Sequence, residues 1–225
     1  ASRLDLIQVL GFGATVSLKT YLHKHFVDKY TFASLAGITV DRLDELIAAK
    51  AIPEATYTCD GSSIRSAAFG VIETEESISG EYFRPECTRW ANIADRAWPG
   101  KERNAVLSEL IGELKTCFRT YFKDSAIIEE KIQGLLPYFF NGTFGLCVAD
   151  PSTGTGIARK ETLQEKLTEL TENGSNRSPA GIPKSELLQL IDDYAISAMP
   201  FSPAEYARSS RKRLVDDLRP LVAKA

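Results

Sequence analysis

The apolar and polar positions at the start of the chain alternate with a helical period. Between residues 15 and 27 the apolar side chains recur three to four positions apart, which predicts a first amphipathic helix. Thr31 and Thr39 can each cap a helix with a side-chain oxygen, and Gly37 between them suits a left-handed helix end. The pattern therefore predicts two more short helices on either side of Gly37, arranged as in a helix-turn-helix.

The pattern changes after residue 54. Up to residue 84 the apolar positions are β-branched or aromatic, and turn signals at Asp60-Gly61 and Ser79-Gly80 separate them, which predicts two or three short strands. From residue 85 the apolar positions return to helical spacing. They predict helices over 86–97, 101–123, 125–140, 160–172, 184–198 and 203–222.

The last of these helices has the strongest start signal. Ser202 is a favoured cap, Pro203 fits the first turn and Glu205 completes a capping box. The fold that the whole pattern predicts is mainly α. It consists of an N-terminal winged-helix-like module with a few short strands, residues 1–84, followed by a helical-bundle domain, residues 85–225.

The name of the first module rests on a resemblance. Residues 30–40, followed by 46–47 and 52–53, resemble the opening of MerR-type winged-helix proteins, in which a similar stretch holds the DNA-reading helix. The outer face of that helix needs Arg, Lys, Asn or Gln, but here it carries Asp41 and Asp44. DNA is therefore disfavoured as a partner, although the resemblance keeps it open.

Composition narrows the class of protein further. The chain has 225 residues, of which 44% are hydrophobic and 25% charged, so it can bury a core. Its net charge of −3 disfavours nucleic acid as a purely electrostatic partner. The sequence has no secretion signal, no membrane-spanning run and no Cys/His spacing typical of a metal site. We expect a cytoplasmic protein with no metal and no membrane partner, and no cofactor is indicated.

One dense basic run is a candidate ligand site. Its residues Arg208, Ser209, Ser210 and Arg211 offer two guanidinium groups and two hydroxyls, which can hold a phosphate or carboxylate. The alternative is a solvated helix face, since runs of charge are most often that. Both interpretations stay open.

Cys147 is the thiol that could carry chemistry, because it closes the segment 141–147 between two predicted helices. Neither His23 nor His25 is near it in sequence to act as a base. A cysteine between Leu146 and Val148 is also typical of a small buried residue, so Cys147 is predicted only to contact a ligand.

The C-terminal half resembles an uncharacterised bacterial family. The motifs in residues 140–147, 157–161 and 201–217 are similar to those of a domain of unknown function that is often labelled a natural-product biosynthesis protein. The resemblance implies a pathway context and no particular reaction.

Three functional classes follow. The first is an accessory or enzymatic protein of a specialised-metabolite pathway that binds a small anionic molecule or a carrier-protein-bound intermediate near the basic run. The second is a DNA-binding transcriptional regulator, and the third is a non-catalytic partner-docking protein. A homodimer is compatible with all three.

Overall fold

The computed structural model describes residues 16–224, which open with three short helices: α1 (Leu18–His25), α2 (Lys29–Ala36) and α3 (Val40–Ala48). Each begins after a side chain that accepts a hydrogen bond from a backbone N–H three residues on, at Ser17, Asp28 and Thr39. Gly37 has a φ of 71° and ends α2 in the left-handed conformation. The predicted order is confirmed, except that Asp28 caps the second helix in place of Thr31.

Five short strands form one antiparallel sheet: β1 (Val27–Asp28), β2 (Tyr57–Asp60), β3 (Ser63–Ser66), β4 (Gly70–Glu73) and β5 (Ser79–Phe83). Their order in the sheet is β1-β5-β2-β3-β4. Because β1 pairs with β5, the helices on either side of β1 are drawn onto the sheet. The rings of Phe32 in α2 and Phe83 in β5 stack there, with their centroids 4.8 Å apart.

Helices make up most of the remaining chain: α4 (Thr88–Asp95), α5 (Glu102–Phe118), α6 (Ser125–Phe140), α7 (Thr143–Cys147), α8 (Gly154–Leu170), α9 (Lys184–Ser197) and α10 (Leu218–Lys224). Single turns of 3-10 helix lie at Pro85–Cys87 and Tyr206–Arg208. A π-helical stretch, Lys212–Asp217, leads directly into α10.

Two clusters of buried apolar side chains hold these elements together. The first extends from α1 and the sheet through α4–α7, and in it Trp90 packs edge-on against Phe139 with centroids 5.2 Å apart. The second joins α8, α9 and the last helical segment through residues such as Leu167, Ile191 and Leu214. Helix α8 belongs to both clusters, because its Ile157 lies in the first and its Leu167 in the second.

Arg84 ties the end of β5 to the helices. Its guanidinium donates hydrogen bonds to the backbone carbonyls of Gly145, Val148 and Ala149, at 3.1, 3.0 and 2.9 Å. The side chain is only 4% exposed, so these bonds satisfy a buried charge. They hold α7 and the residues after it against the sheet.

Several elements differ from prediction. Five strands form where two or three were predicted, and α8 begins at Gly154 rather than at residue 160. Helix α7 lies in a segment that the pattern predicted to be a loop, and five residues are too few to show a helical period. Ser202 does not start the last helix: its Oγ donates to the Glu205 carboxylate, residues 203–205 form a turn, and Tyr206–Arg208 form a single turn of 3-10 helix. The last helical segment begins only at residue 210.

The prediction of a mainly helical fold with a few short strands is confirmed. The winged-helix-like arrangement of residues 1–84, the bundle layout of residues 85–225 and the boundary between them stay predictions.

Candidate functional site

An open pocket of about 300 Å³ lies between α7, α8 and the segment that leads from α9 towards α10. The turn between β3 and β4 closes a further side of it. We name it the cationic pocket. Its charged lining residues are Lys160, Glu161, Arg208 and Arg213.

Lys160 places a buried amine in this pocket. The side chain is 3% exposed, and its Nζ donates to Glu161 Oε1 at 2.8 Å. Burial by itself lowers the pKa of the amine, but the Glu161 carboxylate that accepts its hydrogen bond raises it, and the net direction is upward. The pKa of Lys160 therefore lies above its ordinary value, and the amine is charged at neutral pH.

The hydroxyl of Tyr194, on α9, holds two polar side chains near Lys160. The Tyr194 hydroxyl donates to Gln164 Oε1 at 3.2 Å and lies 2.9 Å from Ser210 Oγ. Burial raises the pKa of Tyr194, so the hydroxyl keeps its proton at neutral pH. Because Gln164 and Ser210 both line the cationic pocket, Tyr194 sets their orientation towards a ligand.

Arg208 is the second positive charge of the pocket, and its guanidinium packs on an aromatic ring. Its guanidinium carbon lies 5.0 Å from the ring centroid of Phe69, which is a cation–π contact. Phe69 in turn packs edge-on against Phe201, with centroids 6.1 Å apart. Arg208 is exposed, so its charge is available to solvent and to the pocket.

A buried carboxylate anchors the segment that carries Arg208. Glu205 is 1% exposed, and its Oε2 accepts hydrogen bonds from the Tyr57 hydroxyl at 2.6 Å and from Ser202 Oγ at 2.9 Å. Its Oε1 accepts from Ser66 Oγ at 2.8 Å. Since Tyr57 and Ser66 belong to β2 and β3, the sheet fixes the position of this segment.

Arg213 supplies the third positive charge. Its Nε atom is buried and has no hydrogen-bond partner among residues 16–224. Leaving a buried donor unpaired costs about 1–3 kcal/mol, and more when the group is charged. Arg213 also lines the pocket, so its positive charge acts on an anion bound there.

The helical part of the chain matches a known family model. The model described as "Family of unknown function (DUF6058)" covers residues 105–222, which is more than half of the 225 residues. The chain belongs to this family. No curated protein and no solved structure matches it.

The DUF6058 segment contains all four charged residues of the cationic pocket, together with Cys147. Phe69, which supports Arg208, comes before it in the chain. The pocket is therefore formed by the DUF6058 segment and completed by the sheet region.

The structure divides the five residues that the sequence predicted to bind a ligand. Cys147, Arg208 and Ser210 line the cationic pocket, whereas Ser209 and Arg211 do not. Ser209 Oγ accepts from the backbone N–H of Lys212 at 3.0 Å and so caps the last helical segment.

Arg211 lies outside the pocket lining and makes a structural contact. Its Nη1 donates to the carbonyls of Ala195 and Ala198, at 2.8 and 3.2 Å. These carbonyls lie at the C-terminal end of α9, where a helix has unpaired acceptors and favours a positive charge. Arg211 therefore stabilises the end of α9.

Cys147 lies in the pocket wall as a neutral thiol. Burial raises its pKa, and the opposing effect of Lys160 does not offset this. Both histidines of the chain lie on α1 and not in the pocket lining. Cys147 thus has apolar contact to offer a ligand rather than an activated sulfur.

Sequence reasoning missed Lys160, Glu161, Gln164 and Arg213 as members of one site. A signal for Lys160 was present, because it falls on the stripe formed by Ile157, Leu163 and Leu167 along α8. A lysine on an apolar stripe must find a buried partner. Nothing in the local pattern shows that α8 meets residues 208–213.

Other candidate features have partners within the fold. The glycine-rich start of α8 donates its Gly154 N–H to Glu113 at 2.6 Å, so a side chain of α5 occupies the place of an external anion. Among residues 16–224, no group of three His, Cys, Asp or Glu side chains is placed to hold a metal ion. No helix in the described chain combines the length and apolar character that crossing a membrane requires.

Proposed function

We propose that this DUF6058 protein binds a small anionic molecule in the cationic pocket, as an accessory or enzymatic protein of a specialised-metabolite pathway. The observation that supports binding is the charge of the pocket, where three cations face one carboxylate. The pathway context comes from the family resemblance of the motifs around residues 140–147 and 201–217. The pocket is open to solvent, so an intermediate tethered to a carrier protein could enter it as well.

The excess positive charge belongs to Arg208 and Arg213. Lys160 has the Glu161 carboxylate as its partner, and that pair is neutral overall. Neither Arg208 nor Arg213 forms an ion pair in the part of the chain that the structure describes, whereas their neighbours Lys212 and Arg219 do. Guanidinium groups bind carboxylate and phosphate through paired hydrogen bonds, which favours an anionic ligand.

The test is a thermal-shift screen of the purified protein with small anionic metabolites and carrier-bound intermediates. A ligand that binds only the folded state raises the unfolding midpoint. We expect a ligand to raise the unfolding midpoint of the wild type and of Arg159→Ala, but not that of Arg208→Ala. Arg159 is the matched control because it is a half-exposed cation next to Lys160 on α8. A shift that survives Arg208→Ala would contradict binding at this pocket.

The structure supports the predicted DNA-binding regulator less well than it supports an anion-binding protein. The Arg42 guanidinium, on α3, contacts the carboxylates of Glu45, Asp95 and Glu102 at 3.2, 3.2 and 3.0 Å. Lys29 contacts Asp44 and Glu81, both at 2.6 Å. These pairs neutralise cations that a DNA-reading surface would direct at phosphates.

We therefore propose that helices α1–α3 support the sheet, and through it the pocket, rather than reading DNA. A gel-shift titration against the gene's own upstream region at low salt is expected to stay flat. Docking of a protein partner and formation of a homodimer stay predictions.

A further inference from the structure

The lining of the cationic pocket has an aromatic part and a polar part. Phe69 and Phe201 contact each other, and Arg208 stacks on Phe69. The polar part consists of Lys160 with Glu161, and of Gln164 and Ser210, which the Tyr194 hydroxyl holds. A ligand that fills the pocket must therefore offer both a flat apolar surface and a polar head.

The charged side chains of the pocket indicate how many negative charges the polar head of the ligand carries. Glu161 balances Lys160, which leaves Arg208 and Arg213 as two positive charges without a carboxylate partner among residues 16–224. Glu205 lies behind Arg208, but three hydroxyl groups hold its carboxylate and it does not line the pocket. A head with two negative charges matches this pair of guanidinium groups better than a head with one.

We infer that the cationic pocket takes a phosphate monoester that carries a flat aromatic body, with the phosphate at Arg208 and Arg213 and the ring against Phe69 and Phe201. This inference rests on the proposed function and names its ligand class. A phosphate monoester carries close to two charges at neutral pH, and its three terminal oxygens can accept from both guanidinium groups and from the Ser210 hydroxyl. A volume of about 300 Å³ accommodates a ligand of this size.

The experiment compares phenyl phosphate, phenyl sulfate and inorganic phosphate by isothermal titration calorimetry at low salt. Phenyl sulfate has nearly the same shape as phenyl phosphate but only one negative charge. At about pH 7.5 we expect phenyl phosphate to bind roughly tenfold more tightly than either of the others, because each lacks a charge or the ring. Lowering the pH to about 5 is expected to weaken the binding of phenyl phosphate but not that of phenyl sulfate, since the second ionisation of phenyl phosphate lies near pH 6.

Two variants locate the binding. Arg208→Ala is expected to raise the dissociation constant of phenyl phosphate roughly tenfold, whereas the control Arg159→Ala leaves it unchanged. Arg208 is exposed, so circular dichroism should show an intact fold. Arg213→Gln, which removes the guanidinium charge from the pocket lining, is expected to weaken the binding of phenyl phosphate more than that of phenyl sulfate.

The outcomes separate this inference from the proposed function. Equal binding of phenyl phosphate and phenyl sulfate, weakened in Arg208→Ala, would overturn the dianionic head and leave the anion pocket standing. Inorganic phosphate binding as tightly as phenyl phosphate would overturn the aromatic body. If neither aromatic anion binds but another small anion gives the Arg208-dependent thermal shift, only the inference is wrong. If no anion gives that shift, or if Arg208→Ala binds every anion like wild type, the inference and the proposed function are both wrong.

Discussion

Arg208 and Arg211 stand three positions apart, and in a regular helix they would share one face. The chain is not regularly helical there, because Ser209 interrupts it as a cap. Arg208 consequently stacks on Phe69, while Arg211 donates to the carbonyls that end α9. At the scale of single residues, one basic run thus divides into a guanidinium that lines the pocket and one that contacts the end of α9.

Arg211→Ala is expected to lower the free energy of unfolding by about 1–3 kcal/mol, because two carbonyls at the end of α9 lose a charged donor. Arg208→Ala, at an exposed position, should change it by less than about 0.5 kcal/mol. Urea unfolding followed by circular dichroism measures both. Equal stability of Arg211→Ala and wild type would show that these two hydrogen bonds do not stabilise α9.

Glu205 makes a pH-dependent contribution to stability. Burial raises its pKa, against hydrogen bonds from Tyr57, Ser66 and Ser202 and the charge of Arg208. The folded state therefore holds the proton more tightly than the unfolded state, in which the pKa is about 4.3. The resulting stabilisation is fully present below that value and is lost as the pH rises through the folded pKa.

Glu205→Gln replaces the carboxyl with a neutral group of similar shape, so it isolates this titration. The free energy of unfolding of wild type relative to Glu205→Gln is expected to fall as the pH rises from about 4 to 7. Parallel urea titrations across this range measure the difference. A difference that grows with pH would show that the hydroxyl groups lower the pKa of Glu205 below its unfolded value.

At the scale of elements, the sequence predicted the helices whose apolar stripe extends over several turns. Helices α5, α6 and α9 lie near their predicted positions for this reason, whereas α8 begins at Gly154, six residues before its predicted start. Helix α7 is too short to show a stripe. The capping box at Ser202 failed because buried hydroxyls from the sheet bind the Glu205 side chain, a tertiary contact that no local pattern contains.

The closest approach of α5 and α8 depends on Gly154. A Cβ atom at this position would lie 2.7 Å from the Leu110 carbonyl oxygen and 2.9 Å from the Leu114 backbone nitrogen. Gly154→Ala is therefore expected to push the two helices apart and to lower the free energy of unfolding by about 1–3 kcal/mol.

Gly112→Ala provides the control within α5. No heavy atom lies within 4 Å of a Cβ there, so the helix gains about 0.5–1 kcal/mol from the better helix former. Urea unfolding of both variants measures the contrast. If Gly154→Ala is as stable as wild type, the two helices can separate without loss, and α8 does not need this glycine.

At the scale of the whole molecule, the cationic pocket is lined by residues from position 68 to position 213. Cys147, Arg208 and Ser210 could be proposed from local composition, since each lies in a noticeable short motif. Phe69, Gln164 and Arg213 could not, because periodicity shows which face of an element turns inward but not which elements meet. The site is a property of the tertiary fold.

The first apolar cluster includes residues from Leu18 to Phe201, which has a consequence for the predicted boundary at residue 84. A fragment of residues 85–225 would expose Trp90, Phe139 and Phe144, which that cluster buries. It would also lose Arg84, the donor to three backbone carbonyls in α7 and just after it. Exposing this apolar surface and leaving these acceptors unpaired both destabilise the helical half.

We expect the fragment 85–225 to show a broad, low-temperature loss of helical circular dichroism, whereas the full chain unfolds in one cooperative transition. A second fragment, residues 84–225, restores Arg84 and separates its hydrogen bonds from the contribution of the sheet. Partial recovery in this fragment would show that Arg84 stabilises α7 even without β5. A fragment 85–225 that unfolds cooperatively at the temperature of the full chain would instead establish the helical half as an independent domain, with the sheet region serving only to complete the cationic pocket.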